Sequence, residues 1–274
     1  METYSQLRQR RSAAQLYAVS QVEREVRAAD PHSGDKYIRV FAEAFQTYRS
    51  RLSSSGLLDE LLQAEVLLVA DYHALPASQL YTASLIEQLS AAQQRPQVLA
   101  LEAIYARDQR VLDEWRNGQI DERELRNRIR FDLDWGFGWN PFFRLLASAR
   151  RHGVRLCGLD TAPRGDLRRI VLRDEHAAAR IAEIAEAAPD SRIVVLFGES
   201  HMAPQHLPAA IKRKLPQARV VTLLQNIDSL YWKAEGEPGA RVKAVRVSDD
   251  VFCVFNATPL EKYESYRRCL ERWR

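Results

Sequence analysis

The fold is decided by a stretch that occurs twice, first as Val66-Leu67-Leu68-Val69-Ala70-Asp71-Tyr72-His73 and then as Val194-Val195-Leu196-Phe197-Gly198-Glu199-Ser200-His201. Both copies contain four apolar residues, a small residue, an acid, any residue and a histidine, and a proline follows at the same distance. An apolar run rich in Val and Leu that ends abruptly in polar residues is typical of a strand buried on both faces. The two copies therefore predict two buried strands, each with an acid and a histidine at its carboxyl end.

Further buried strands are predicted along the chain, with helical patterns between them. The strands are expected at 66–70, 98–101, 154–159, 193–197 and 218–224. Strands that alternate with helices pair in parallel through right-handed crossovers. The predicted fold class is α/β, with a central, largely parallel sheet that has helices on both faces.

The two ends of the chain differ from this pattern. Residues 1–60 predict a helical N-terminal extension or arm, and a second amphipathic helix is predicted over 36–62, reaching the start of the α/β part. Residues 241–247 alternate between polar and apolar, and 250–255 are β-branched and aromatic, which indicates an antiparallel edge pair near the C-terminus. We expect residues 61–274 to form the α/β part of a single globular domain.

The polar residues at the strand ends form the candidate site. Carboxyl ends of parallel strands meet at one edge of a sheet, where ligands of open α/β sheets bind. Imidazoles and carboxylates can hold a divalent transition metal, and we predict His73, His201 and Glu102 as its ligands. Water on such a metal could attack an ester or amide, with Glu102, Glu199 and Asp71 as catalytic carboxylates. The same groups could also carry out acid–base chemistry without a metal.

Two tyrosines near the strand ends suggest haem as an alternative ligand. Tyrosine can ligate haem iron, so Tyr72 and Tyr105 join His73 and His201 as candidate cofactor-binding residues. Each tyrosine could instead be a half-buried ring with its hydroxyl in water. A loop rich in aromatic residues at 135–143 could flank a flat ligand or pack over the sheet edge.

Composition argues against several classes of partner. The net charge is +4 and acids are interleaved with bases, which indicates a mildly basic surface and no nucleic-acid-binding stripe. No stretch approaches the roughly 20 apolar residues that span a bilayer. We therefore expect a cytoplasmic protein that binds a small molecule or cofactor, without a nucleic-acid or membrane partner. The N-terminal helices could pair two chains as a homodimer, cover the candidate site at the carboxyl ends of the strands, or do neither.

The paired motifs resemble a known family. Gly198-Glu199-Ser200-His201, the similar motif in the first half and Leu101-Glu102 between them resemble the ChaN-like haem-binding family. That family belongs to the Tiki superfamily, which includes Tiki metalloproteases and is related to erythromycin esterases. The resemblance covers residues 60–235, and the tail Thr258-Pro259-Leu260-Glu261-Lys262-Tyr263 is similar to the same family.

The resemblance implies an α/β fold with a crevice lined by His73, Glu102 and His201. Such sites in the superfamily hold metal, haem or a hydrolysable substrate. The chain departs from the family pattern at Ala70-Asp71, where the family has Gly-Glu. Because aspartate is one methylene shorter than glutamate, this difference argues against the hydrolytic mechanism of the enzymes in the superfamily.

Three hypotheses remain open from the sequence. The first is a haem- or transition-metal-binding protein without turnover, which the family resemblance favours. The second is a metal-dependent hydrolase of an ester or peptide bond, which the acid–histidine pairs favour. The third is a scaffold whose site has decayed, and the intact second motif argues against it.

Overall fold

The computed structural model describes residues 4–29, 36–92, 95–161, 170–236 and 242–273. The helices in these ranges are α1 (Tyr4–Ala29), α2 (Lys36–Ala44), α3 (Ser54–Leu62), α4 (Pro76–Ala91), α5 (Gln109–Arg116), α6 (Glu122–Arg128), α7 (Phe131–Asp134), α8 (Trp139–Arg151), α9 (Ile170–Ala187), α10 (Leu207–Lys214), α11 (Asp228–Gly236) and α12 (Pro259–Trp273). The strands are β1 (Ser50–Leu52), β2 (Val66–Asp71), β3 (Gln97–Tyr105), β4 (Arg155–Asp160), β5 (Arg192–Gly198), β6 (Val220–Gln225), β7 (Ala244–Ser248) and β8 (Val251–Val254). Short 3₁₀ helices span Ala106–Asp108 and Glu199–Met202.

These strands form one mixed sheet in the order β1-β7-β8-β6-β2-β5-β3-β4. From β8 to β4 all neighbours are parallel, whereas β7 is antiparallel to both β1 and β8. The predicted α/β class is confirmed, with its largely parallel sheet, its antiparallel pair near the C-terminus and its N-terminal helical arm.

Apolar side chains cover both faces of the sheet. Along β2, Leu67 and Val69 pack on one side with α3, α4 and α8, while Val66, Leu68 and Ala70 pack on the other with α2, α9, α10 and α11. Polar side chains would be buried without partners on either face of such a strand, which explains its continuous apolar run. Each fully buried leucine contributes about 1.5–3 kcal/mol to folding.

The N-terminal extension contributes a strand as well as helices. The helix predicted over 36–62 is wrong, because it is divided into α2 and α3 by β1, which pairs with β7 at the edge of the sheet. A strand of three residues is too short to show a period in the sequence. Helix α3 begins after Ser53, whose hydroxyl accepts a hydrogen bond from Gly56 N at 3.0 Å.

The long helix α1 packs against the C-terminal helix α12. Its Val19, Val22 and Val26 are buried, and Glu25 pairs with Arg267 of α12 at 3.4 Å. Within the described ranges, no helix has the length and apolar character needed to cross a membrane.

The two repeated stretches are neighbours in the sheet. β2 pairs directly with β5, and Asp71 lies opposite Gly198. The acid of the first copy is therefore the last residue of its strand, whereas Glu199 begins the 3₁₀ helix beyond β5. This shift of one residue gives the two acids different surroundings.

Candidate functional site

His73 is held by the acid of its own motif. Its Nδ1 donates to Asp71 Oδ2 at 2.9 Å, and Gln79 Nε2 of α4 donates to the other oxygen of Asp71 at 2.5 Å. The turn between β2 and α4 brings all three side chains together. With Nδ1 so occupied, Nε2 remains the atom of His73 that can exchange a proton with a ligand.

Glu102 is the centre of the site. It is buried at the point where β3 stops pairing with β5. The sequence predicted that the strand ends before Glu102, but β3 continues past it to Tyr105. Its Oε2 accepts from Gly198 N at 2.6 Å, and its Oε1 accepts from Arg173 at 2.5 Å. The Nε2 atoms of His73 and His201 lie 3.5 and 3.9 Å from its two oxygens.

Arg173 binds two carboxylates at the start of α9. Besides Glu102, it donates to Asp160 through Nε at 3.1 Å and Nη2 at 2.9 Å. Asp160 ends β4 and also accepts from Thr161 N at 2.8 Å. A buried guanidinium bound in this bidentate manner fixes the carboxylates that surround it.

His201 is buried and takes its acid from a distant helix. Its Nδ1 donates to Asp174 of α9 at 2.6 Å, and the Tyr37 hydroxyl donates to the second oxygen of Asp174 at 2.7 Å. Tyr37, from α2, lies 3.0 Å from His201 Nδ1 and stacks on His206 with ring centroids 3.6 Å apart. The N-terminal extension therefore supplies a side chain to the site.

Glu199 does not pair with the histidine of its own motif. Its carboxylate binds Lys262 of α12 at 3.0 Å. The reason is the 3₁₀ turn, which directs Glu199 away from His201 towards the end of β6 and the start of α12. Burial raises the pKa of the Glu199 carboxyl above its ordinary value, although Lys262 opposes the shift.

The charges at the centre of the site perturb each other. Burial lowers the pKa of His73, but the carboxylates of Glu102 and Asp71 outweigh it and the net pKa is raised above 6.5. Burial would raise the pKa of Glu102, but His73 and Arg173 hold it below its usual range. The site therefore favours a protonated His73 beside an ionised Glu102.

Gly198 is the point where these groups converge. A Cβ atom at this position would lie 3.1 Å from His73 Nε2, 3.2 Å from Glu102 Oε2 and 3.3 Å from His201 Cδ2. The glycine of the second motif therefore leaves room for three side chains. This close approach is the physical reason for a residue without a side chain here.

The predicted tyrosines have separate environments. Tyr105 is buried at the end of β3, and the Arg107 guanidinium lies 4.4 Å from the centre of its ring. Tyr72 is half-buried, with Lys262 Nζ 4.6 Å from its ring centre and Tyr266 edge-on at 5.9 Å.

The aromatic loop contacts the site directly. Trp135 and Phe137 lie edge-on or tilted against the ring of His73, with centroids 4.4 and 5.1 Å away. Trp139 and Phe142 are instead buried in the core. One part of the loop therefore borders the site beside His73, and the other part packs in the core.

The predicted metal site finds no support in this geometry. In the part of the chain that the structure describes, no group of three or more His, Cys, Asp or Glu side chains is arranged to hold a metal ion. Of the predicted ligands His73, His201 and Glu102, the carboxylate is already bound by the Arg173 guanidinium. A divalent cation at Glu102 would be repelled by that neighbouring positive charge.

Sequence reasoning missed several side chains of the site, among them Arg173, Asp174, Tyr37 and Lys262. Arg173 and Asp174 stand in a charged run that resembles a solvated helix face, and Tyr37 follows a turn far from either motif. Lys262 had the strongest signal, because the cap formed by Thr258 and Glu261 places it in the first turn of α12. Burial of a lysine there is visible only in the folded chain.

Comparisons with known proteins agree with the motifs. Residues 57–171 match the model of a family described as haem-binding uptake, Tiki superfamily, ChaN. No curated protein sequence matches the chain.

Two solved structures have a similar fold. ChaN of Campylobacter jejuni, whose structure is described as showing cofacial heme binding, has a TM-score of 0.50 and 15% identity, with 74% of this chain and 92% of that chain covered. The type III effector HopBA1 has a TM-score of 0.53 and 13% identity, with 77% of this chain and 96% of that chain covered. At such identities the likeness concerns the fold alone. The family model, and not these structures, confirms the resemblance to the ChaN-like haem-binding family of the Tiki superfamily over residues 57–171.

Proposed function

We propose that the side-chain cluster around Glu102 is an acid–base site that hydrolyses an ester or an amide, with Glu199 as the base and His73 as the acid. The exposure of the ionisable side chains carries this proposal. The side chains of His73 and Glu199 are 22% and 17% exposed. Seven other side chains of the cluster are each less than a tenth exposed, namely Asp71, Glu102, Asp160, Arg173, Asp174, His201 and Lys262. Tyr37 and His206 are half-buried on the far side of His201 from Glu102. A substrate that approaches Glu102 and the two motif strands would therefore meet the imidazole of His73 and the carboxyl group of Glu199.

The proposed step uses one water molecule. Glu199 takes a proton from the water as its oxygen attacks the carbonyl carbon, and a tetrahedral intermediate forms. When the intermediate collapses, the bond from carbon to the leaving oxygen or nitrogen breaks, and His73 Nε2 gives the leaving atom its proton. The proton on Glu199 then returns to His73 through solvent, so that the enzyme is unchanged.

The perturbed pKa values favour this assignment of roles. A raised pKa keeps His73 protonated for use as an acid, and a raised pKa makes the Glu199 carboxylate a more effective base. Asp71 and Glu102 support the positive charge on His73. The cluster resembles other pairs of titratable groups whose environments assign them opposite tasks.

Ester hydrolysis by the purified protein tests the proposal. The assay uses p-nitrophenyl acetate, p-nitrophenyl butyrate and an N-acyl p-nitroanilide in the presence of excess chelator. We expect His73→Gln and Glu199→Gln to lower kcat by about 10²–10⁴-fold, the usual contribution of a general acid or base.

The matched control is His152→Gln. His152 is the C-terminal cap of α8, where its Nδ1 donates to Ser148 O at 2.9 Å. Turnover that is lost equally in the control and in the two site variants would contradict the assignment. Turnover that is no faster than the reaction in buffer would overturn the proposed function.

Haem binding is the second candidate, because residues 57–171 match a family described as haem-binding. The histidines do not fit as axial ligands in the observed arrangement. The Nε2 atoms of His73 and His201 both face Glu102, and even a methyl group on Gly198 would be crowded there. Haem at this site would therefore depend on the half-buried Tyr72.

A haemin titration followed by absorbance tests the second candidate. We expect a saturable shift of the Soret band that Tyr72→Phe removes if haem is the ligand. A shift that is retained by Tyr72→Phe but lost by His201→Ala would instead mean that the cluster rearranges to admit haem. Absence of any shift would remove this candidate.

A further inference from the structure

Lys262 is buried where helix formation alone disfavours a cation. It is the fourth residue of α12 and is 5% exposed. The N-terminal turn of a helix carries partial positive charge, so a lysine there is electrostatically unfavourable. Lysine is also rarely buried unless it is paired. Stability of α12 therefore does not explain this residue.

The surroundings of Lys262 use all three of its ammonium protons. Its Nζ lies 3.0 Å from both carboxylate oxygens of Glu199 and 3.3 Å from the carbonyl oxygen of Asn226. The start of α12 is itself fixed, because Thr258 and Glu261 bond to each other reciprocally. The ammonium is thus held from two independent directions.

Asn226 has an unusual conformation that completes this site. Its φ of 53° lies in the left-handed region, which is uncommon for a residue other than glycine. Its side-chain oxygen accepts from the backbone N–H groups of Asn256 and Ala257, both at 2.9 Å. These bonds stabilise the turn after β6, in which the Asn226 carbonyl meets Lys262.

We propose that Lys262 is a positioning residue, which holds the partly exposed Glu199 carboxyl where it interacts with His73. The inference rests on the proposed function, since it assigns Lys262 to the group that takes the proton from water. It adds α12 to the site, beyond the segment 57–171 that matches the family. Glu199 belongs to the repeated motif, whereas the position of its carboxyl group depends on the ion pair with Lys262.

A purely structural ion pair is the alternative. Besides each other, Glu199 and Lys262 interact with Asp228 at the start of α11, with His73 after β2 and with Cys253 in β8. A structural pair would affect the stability of the folded protein, while folded molecules would keep their turnover number. A positioning residue would affect kcat in molecules that are fully folded.

The test compares Lys262→Met and Lys262→Gln with Lys262→Arg and wild type. Ester hydrolysis is measured at a temperature where circular dichroism shows each variant to be folded. We expect both neutral variants to lose about 10²-fold in kcat with little change in KM, as for a catalytic group displaced by about 1 Å. Arginine keeps the charge and should restore part of the loss.

The matched control is Lys233→Met, a lysine that is exposed on α11. It should leave kcat and KM unchanged. If the folded Lys262→Met and Lys262→Gln proteins keep the wild-type kcat, or if arginine is no better than methionine, the positioning role is wrong. Lys262→Gln serves alone if the methionine variant does not fold.

Crystal structures of wild type and Lys262→Gln provide a readout that does not need activity. We expect the Glu199 carboxyl to leave its wild-type position in the variant. If the wild type hydrolyses none of the esters, the proposed function fails, but displacement of Glu199 would still support the positioning role. A Glu199 carboxyl that stays in place would overturn it.

Discussion

Gly198→Ala is a direct test of the convergence at the site. The backbone of Gly198 has φ −50° and ψ 136°, an extended conformation that alanine adopts without strain. The added methyl group would approach His73 Nε2, Glu102 Oε2 and His201 Cδ2 at 3.1–3.3 Å. Because ordinary contacts to carbon are about 3.5–4.0 Å, each neighbour must move by a few tenths of an ångström.

The cost of this change follows from two opposing effects. Overpacking a well-packed interior costs about 1–3 kcal/mol. Replacing glycine by alanine restricts the unfolded chain and offsets about 0.4–1 kcal/mol of that cost. We expect a net loss of about 1–2 kcal/mol in the free energy of unfolding. For a chain of this size that corresponds to a fall in Tm of roughly 2–8 °C.

Thermal denaturation and ester hydrolysis together measure the outcome. We expect kcat to fall at least about tenfold at a temperature where Gly198→Ala is folded, since small misplacements of catalytic groups are costly. The matched control is Gly138→Ala, where the added Cβ would meet Pro141 at an ordinary 3.7 Å. A Gly198→Ala protein with wild-type Tm and kcat would refute the convergence of the three side chains.

Three further predictions concern other parts of the fold. Gly158→Ala should lower stability by more than about 3 kcal/mol in chemical denaturation, because its Cβ would lie 2.5 Å from the rigid carbonyl oxygen of Tyr105. Arg192→Met should cost about 1–3 kcal/mol in the same assay, because the fully buried guanidinium donates to backbone carbonyls at the end of α3, and an unchanged midpoint would contradict this. Burial lowers the pKa of His206 below 6.5, so the unfolded chain binds its proton first as the pH falls. The Tm of wild type should therefore decrease more than that of His206→Phe below about pH 6.5, and parallel pH profiles of Tm would show that His206 does not contribute.

The strands could be predicted because their signal is local. Val66–Asp71 and Arg192–Gly198 are buried on both faces, and a strand without a solvent face has a continuous apolar run. The antiparallel pair β7 and β8 was predictable because polar and apolar residues alternate along 241–247, which is typical of a strand with one exposed face. β1 was missed because three residues are too few for either pattern.

Half of the site could be predicted in the same way. Asp71 and His73 are two residues apart, so their contact is a property of one turn. The partners of the second motif were not predictable, since Asp174 approaches His201 from α9 and Lys262 approaches Glu199 from α12. These contacts depend on how helices pack on the sheet, which no local pattern contains.

The sequence by itself determined the α/β class, the two similar motifs and the sheet edge that carries them, because apolar periodicity and abrupt strand ends are local properties. That the two motif strands are direct neighbours in the sheet is known only from the structure. Only the tertiary structure decided how the two copies differ. Asp71 ends its strand and binds His73, whereas Glu199 lies one residue beyond β5, in a 3₁₀ turn, and binds Lys262. Neighbouring residues at a strand end point in different directions, so a register shift of one residue between two similar motifs was enough to give the two acids different partners.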